Sequence, residues 1–220
     1  LHALAGVLYK QGRYGEAEAL LLRSLALVEQ ALGTGHPDYG ASLHALASVL
    51  LRQGKYGEAE ALLRRSLALV EKALGTDHPS YGASLHALAG VLASQGKSAE
   101  AEAILYRSLF LKEKALGTDH PALYPTLTNL AAILARRGAL DPAMLLVERA
   151  RSIAVRAHGP VHPDVGQILS IQAQIQAAMD LPQAEITAKQ AVAILERCLG
   201  SDHPITESTR RVLDSLTQAH

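Results

Sequence analysis

Histidine is the residue in this chain best suited to chemistry, and its spacing is regular. One series, His36, His78, His120 and His162, recurs every 42 residues, and His203 follows after 41. A second series, His2, His44 and His86, keeps the same 42-residue interval. Imidazole carries a donor and an acceptor nitrogen, titrates near neutral pH and ligates metals. Such rows could therefore act as bases, as a metal ladder or as a pH-sensitive binding row. No surrounding motif supports catalysis: there is no P-loop, no Gly-x-Ser-x-Gly, no His-Glu-x-x-His and no Cys-x-x-Cys. Metal ligation is disfavoured too. Equivalent residues on adjacent helices start about 8–10 Å apart, Zn–N bonds are about 2.1 Å, and no cysteine or carboxylate clusters with the His2 series. The sequence therefore predicts no catalytic residue, no metal and no cofactor.

The elements that would position these residues follow from the period. A fixed repeat of 20–50 residues marks a stack of supersecondary units. The clearest unit is LHALASVLLRQGKYGEAEALLRRSLALVEKALGTDHP, Leu43 to Pro79. Pro37, suited to a first helical turn, opens a helix predicted to about Gln53, with an apolar stripe of Leu43, Leu46, Ala47 and Leu50. Gly54 stops it, and a second helix runs from about Tyr56 to Leu74, ended by Gly75. The same pair is predicted at about 1–11 and 14–32, 79–95 and 98–116, 121–137 and 140–158, and 163–179 and 181–199. A more polar last helix, about 204–217, carries Glu207, Arg210, Arg211 and Asp214 and is expected to cap the stack.

These readings give one all-α array with repeats at about 1–36, 37–78, 79–120, 121–162 and 163–203, and a capping helix at 204–217. The His36 series falls in Gly-x-x-His-Pro turns and is expected to position the next helix start. Asp77, Asp119 and Asp202 are expected to cap those starts. The pairs Glu16/Glu18, Glu58/Glu60 and Glu100/Glu102 open second helices, where the dipole favours acid. Unit five departs most: Met179-Asp180-Leu181-Pro182 replaces the inter-helix glycine, and Gln172 and Gln176 stand where other units have leucine.

Composition narrows the classes further. With 21 basic and 21 acidic residues the chain lacks the basic excess of a nucleic-acid binder. It has no Trp and one Phe, Phe110, so the core must be aliphatic and alanine-rich. Cys198 is the only cysteine, which rules out an internal disulfide. No apolar run is long enough to span a membrane. A cytoplasmic protein-binding module is the expected class. Leu1 falls inside a repeat, which predicts a fragment or trimmed version of a longer protein.

The spacing Leu43-x2-Leu46-Ala47-x2-Leu50, then Gly54-x-Tyr56-x2-Ala59-x3-Leu63, resembles the tetratricopeptide pattern. The longer unit, with Gly-x-Asp-His-Pro and QGKYGEAEALLRRSLALVEKALG, resembles the kinesin light chain type of that repeat. The resemblance implies a right-handed superhelical solenoid whose first helices line a concave, partner-binding side. Kinesin light chain repeats typically carry adjacent asparagines after the first leucine, and these hold a peptide backbone. Here His2-Ala3, His44-Ala45 and His86-Ala87 stand there, and only Thr128-Asn129 keeps one.

The stripe of each first helix opposite its core stripe is the candidate binding surface. It comprises His2, Gly6, Tyr9 and Lys10; His44, Ser48, Leu51 and Arg52; His86, Gly90, Ala93 and Ser94; Thr128, Asn129, Ala132, Ala135 and Arg136; and Ser170, Gln174, Ala177 and Ala178. Small residues leave room for a chain, and Lys10, Arg52 and Arg136 supply positive charge. The expected partner is a protein or peptide with acidic character. The alternatives are a merely solvated face, self-association by end-to-end stacking of near-identical units, or a regulatory array of a larger signalling protein.

Overall fold

A computed structural model describes residues 1–76 and 78–218, with Lys10 and Pro79 described in backbone only; the expectations for the Lys10 side chain and for Asp77 lie outside the described residues. Eleven α-helices are described: α1 (His2–Lys10), α2 (Tyr14–Leu32), α3 (Pro37–Arg52), α4 (Tyr56–Leu74), α5 (Pro79–Ser94), α6 (Ser98–Leu116), α7 (Tyr124–Arg136), α8 (Leu140–His158), α9 (Pro163–Ala178), α10 (Ala184–Leu199) and α11 (Pro204–Thr217). They form two compact units, Leu1–Ala115 and Leu116–His220. Within each, a first helix packs on the second helix that follows it, and that second helix packs on the next first helix.

The core of the first unit shows why the aliphatic composition suffices. Ala47, Ala59, Ala89 and Ala101 are completely or almost completely buried and let helices approach closely, while Leu43, Leu63, Leu85 and Leu88 fill the space between them. Val70 of α4 packs with Tyr81 and Leu85 of α5, joined by Leu67, Ile104 and Leu111. Two buried serines tie the helix pairs: Ser66 Oγ donates to the Gly40 carbonyl and Ser108 Oγ to that of Gly82, both at 2.8 Å. The second unit is built the same way around Leu127, Leu130, Ala143, Val147, Ala150 and Ala173.

The turn histidines start the helices, as their place in the repeat implied. Nδ1 of His36, His78, His120, His162 and His203 accepts the backbone N–H two residues on, at 3.1–3.3 Å. This corrects the aspartate expectation. The imidazole occupies the N-cap, so Asp119 reaches Arg156 instead (2.8 Å) and Asp202 accepts from Ser201 Oγ (2.8 Å).

Two elements begin differently from the sequence reading. The helix expected from Pro121 is a 3₁₀ turn, Pro121–Leu123, followed by α7. Pro125 has no N–H to continue the α pattern, so the helix restarts at Tyr124. In unit five Asp180 takes the positive φ, 54°, that glycine takes at Gly12, Gly54, Gly96 and Gly138. With Pro182 following, α10 begins at Ala184 rather than Leu181.

The last helix seals its end of the array. By repeat register Thr206, Leu213 and Leu216 correspond to Tyr39, Leu46 and Val49, while Arg210, Asp214 and Thr217 correspond to Leu43, Ala47 and Leu50. Thus α11 keeps the positions that face the preceding helix and turns polar where a following helix would pack. Thr206 and Thr209 are buried, Asp214 and Thr217 exposed, and Arg210 holds Glu196 at 2.6 Å.

Candidate binding face

The first-helix stripes are built by a simple division of each helix. One side holds the buried leucines and alanines; the other leaves His, Ser, Gly and Arg positions near the surface. In the first unit His2, Gly6 and Arg52 are exposed, and Tyr9, His44, Ser48, Leu51, His86 and Gly90 are half-buried, with Ser94 exposed. A Cβ placed on Gly6 or Gly90 would meet nothing within 4 Å, so the backbone is open to approach there. Ser48 and Ser94 hydroxyls donate to carbonyls one turn back, those of His44 and Gly90, at 3.0 Å.

The charged and aromatic members are organised by contacts between helices. Arg52 Nε donates to the Tyr14 hydroxyl at 3.3 Å, its guanidinium lies 5.8 Å from the Tyr14 ring centre, and Tyr9 meets Tyr14 edge-on at 5.6 Å. Arg52, expected to supply positive charge to this face, is thus anchored on an aromatic pair. Tyr14 sits at the start of a second helix, outside the first-helix pattern, so periodicity alone could not select it. His2 Nε2 lies 2.9 Å from Ser42 Oγ.

Two histidines of the row, His44 and His86, are held below the ordinary imidazole value. Burial pushes His44 below its ordinary value of 6.5. Burial, helped by nearby Lys112 and His44, pushes His86 down to about 4. Burial also lowers Lys112 to about 8. The His44 and His86 rings are therefore both neutral at pH 7. The unfolded chain takes up a proton at His86 near 6.5 and the folded chain only near 4. Stability must then fall as pH drops through that window and level off below it. Urea unfolding across the window should show this slope, reduced in His86→Gln; an unchanged slope would remove His86 from the account.

In the second unit the stripe flanks a defined cleft. Asn129 is half-buried, while Thr128 and Ser170 are buried, Thr128 Oγ1 donating to the Tyr124 carbonyl at 2.6 Å. Ala132, Ala135, Ala178 and Ile171 form a cavity of about 280 Å³ between α7 and α9, with Arg136 and Gln174 at its polar edge. Arg136 and Gln174 are exposed, and among the described residues Arg136 has no ion-pair partner. Ile171 lies outside the expected stripe; it is reached because the two helices part over alanines. A second cavity, about 320 Å³, opens between α3, α4 and α5 beside His44, Ser66, Val70 and Ser84.

Among the described residues no group of three or more His, Cys, Asp or Glu is placed to hold a metal ion, and no helix is long and apolar enough to cross a membrane.

Comparison with known proteins bears on the class. No curated protein matches the chain in sequence. The chain is similar in structure to the kinesin light chain-type, nearly identical TPR-like repeats of Podosopora anserina, at 29% identity and TM-score 0.72 over 89% of this chain and 93% of that one. BtubC (BKLC) from P. vanneervenii aligns over 99% of this chain and 80% of its own, with 20% identity and TM-score 0.70. PlcR of Bacillus thuringiensis, solved with the peptide PapR7 and DNA, aligns over 96% and 72%, with 16% identity and TM-score 0.73. The last two likenesses show the fold alone. Repeats of this type are typically non-catalytic and form protein-interaction scaffolds. The tetratricopeptide repeat family model matches residues 1–72, 41–114 and 88–154, and with the helix pairs and their kinesin light chain-like relatives this places the chain in the tetratricopeptide repeat family.

Proposed function

We propose that the chain is a non-catalytic scaffold that binds a peptide or extended protein segment of acidic character on the face presented by its first helices. The observation that carries this reading is the α7/α9 cleft. Its floor is alanine, its wall is Ile171, and its edge carries an exposed Arg136 without an ion-pair partner among the described residues. An aliphatic side chain fits the floor, and a carboxylate nearby would meet the guanidinium as a charge-assisted pair. The open backbone at Gly6 and Gly90 supports the same use of the first unit. PlcR, of the same fold, was solved with a peptide, which is consistent with this class of partner.

The alternative, end-to-end stacking of copies, needs an apolar seat at each end. The polar outer positions of α11 disfavour it. Peptide display against the purified chain, run beside an Arg136→Glu variant, tests the proposal. Enrichment of a shared acidic motif, weakened about tenfold or more by the charge reversal, is expected. No enrichment on a folded chain, or enrichment the variant keeps, would overturn it.

A further inference from the structure

The repeat register pairs an open cavity with a filled place in the same unit. The cavity of about 320 Å³ between α3, α4 and α5 is lined by Gly40 and Val70, beside His44 and Ser66. One period of 42 residues later Gly82 and Lys112 take the first two positions, with His86 for His44 and Ser108 for Ser66. There the stem of Lys112 lies over the glycine: its Cγ is 3.2 Å from where a Cβ on Gly82 would stand. Lys112 is half-buried, and its charge helps to hold the His86 ring neutral. The later repeat thus houses an alkylammonium group where the earlier one, with the shorter Val70, leaves space. The volume lies at the small end of the range for ligand pockets, about 300–1,000 Å³, and suits a single side chain.

The polar groups of the cavity fit the same chemistry. Its bottom is buried, formed by Val70, Ser66 and Ser84. The Ser66 hydroxyl is committed, donating to the Gly40 carbonyl at 2.8 Å. Ser84 is only 2% exposed, yet among the described residues its hydroxyl has no hydrogen bond. Ser42, at the same register of α3, donates to the Asp38 carbonyl at 2.9 Å and lies 2.9 Å from His2 Nε2. At the mouth stands Asp38, whose side chain is 67% exposed and, among the described residues, meets only His36 Nδ1, at 3.7 Å. Ser80 holds the Asp38 register in α5, so a carboxylate is present where the chain's own lysine is absent. An ammonium group offers only N–H donors, and the Ser84 oxygen and the Asp38 carboxylate are acceptors for them. Asp38 would repel an acidic ligand, and a purely apolar one would leave the Ser84 hydroxyl buried and unpaired.

We infer that the cavity between α3, α4 and α5 takes the side chain of a lysine carried by an extended partner segment, with its stem along Gly40 and Val70 and its ammonium held by Asp38 and the Ser84 hydroxyl. This rests on the proposed use of the first-helix face and adds a basic residue to what that face selects. The site contains no part of the α7/α9 cleft, and the probe below carries no acid, so the display experiment and this one can fail separately.

The probe is acetyl-Ala-Lys-Ala-amide, titrated into the intact chain and followed by NMR of the Ser84 amide and the His44 ring. Saturable shifts at both are expected. The norleucine analogue, which keeps the stem and lacks the charge, should bind about tenfold more weakly, as should the lysine peptide on an Asp38→Asn chain. Val70→Lys, which copies the Lys112 register, should plug the cavity and abolish the shifts while circular dichroism matches the parent. Ser84→Ala should weaken binding several-fold and keeps the test open if the plugged chain does not fold. No saturable shift, equal binding of the norleucine analogue, or binding undiminished in Asp38→Asn and Ser84→Ala overturns the inference. Tighter binding of n-butylammonium than of the tripeptide would make this a site for a free amine and overturn it. Association of copies in sedimentation, abolished by Asp38→Asn, would give the cavity to a lysine of a second copy and overturn it as well.

Discussion

Leu46→Ala lowers stability by about 3 kcal/mol, whereas Leu4→Ala, in the same pentapeptide, changes it by less than about 0.5 kcal/mol. The two residues have the same neighbours in sequence and the same helical propensity, so local structure cancels in the comparison. What differs is packing: Leu46 is 4% exposed and Leu4 53%. Truncating Leu46 removes buried methyl groups and leaves a void between α2, α3 and α4 that the surrounding alanine-rich contacts can close only in part. Truncating Leu4 mostly removes atoms already in water. Urea unfolding of the two variants checks this, using the midpoint and slope together because a repeat array need not unfold in one step. Equal losses would mean that α1 is covered in solution, and near-zero losses at both would mean that the α2/α3 interface is loose.

Gly166→Ala costs about 2 kcal/mol, while Gly40→Ala is neutral or stabilising by up to about 1 kcal/mol. The two glycines share a register, four residues after the turn histidine, and both sit inside helices where alanine has the better propensity. At Gly166 a Cβ would fall 2.7 Å from Cγ and 2.9 Å from Cδ2 of Leu195 and 3.3 Å from Cγ2 of Ile194. Leu195 is fully buried, so it cannot swing aside. At Gly40 the nearest atoms are 3.7 Å away, an ordinary contact. Gly82 is intermediate, since its Cβ would press on the half-buried stem of Lys112 at 3.2 Å. Thermal unfolding of the Gly40 and Gly166 variants should order them with opposite signs. A Gly166→Ala chain as stable as the parent would show that α9 and α10 can move apart without loss.

Much of the fold could be read from spacing because each boundary has a local cause. Gly33, Gly54 and Gly75 stop helices with a positive φ, and Pro37 and Pro204 start them. The errors arose where two local signals competed. Tyr124-Pro125 interrupts the α7 start, Pro182 delays α10, and histidine displaces aspartate from the cap because the imidazole lies directly before the proline. The site was less legible. The 42-residue period says nothing of which arginine meets a ring, yet Arg52 finds Tyr14 38 residues away. Likewise His86 is held down by burial and by the charge of Lys112, which lies on another helix. Such properties belong to tertiary packing and leave no local periodic trace.

The interchangeability of the α2/α3 and α4/α5 seats reaches beyond the folded state. Residues 43–84 begin and end at matching points, so their loss joins Ser42 to Leu85 in the same Gly-Ala-Ser-Leu-His wording that joins Ser42 to Leu43. Recombination between neighbouring copies of the coding sequence can therefore shorten or lengthen the array by whole repeats without leaving a mismatched interface. The same degeneracy works against the folding chain. A newly made second helix meets more than one first helix that it fits, so correct assembly depends on nearness along the chain rather than on distinct surfaces. The divergence of the last two units gives that end of the array an address of its own.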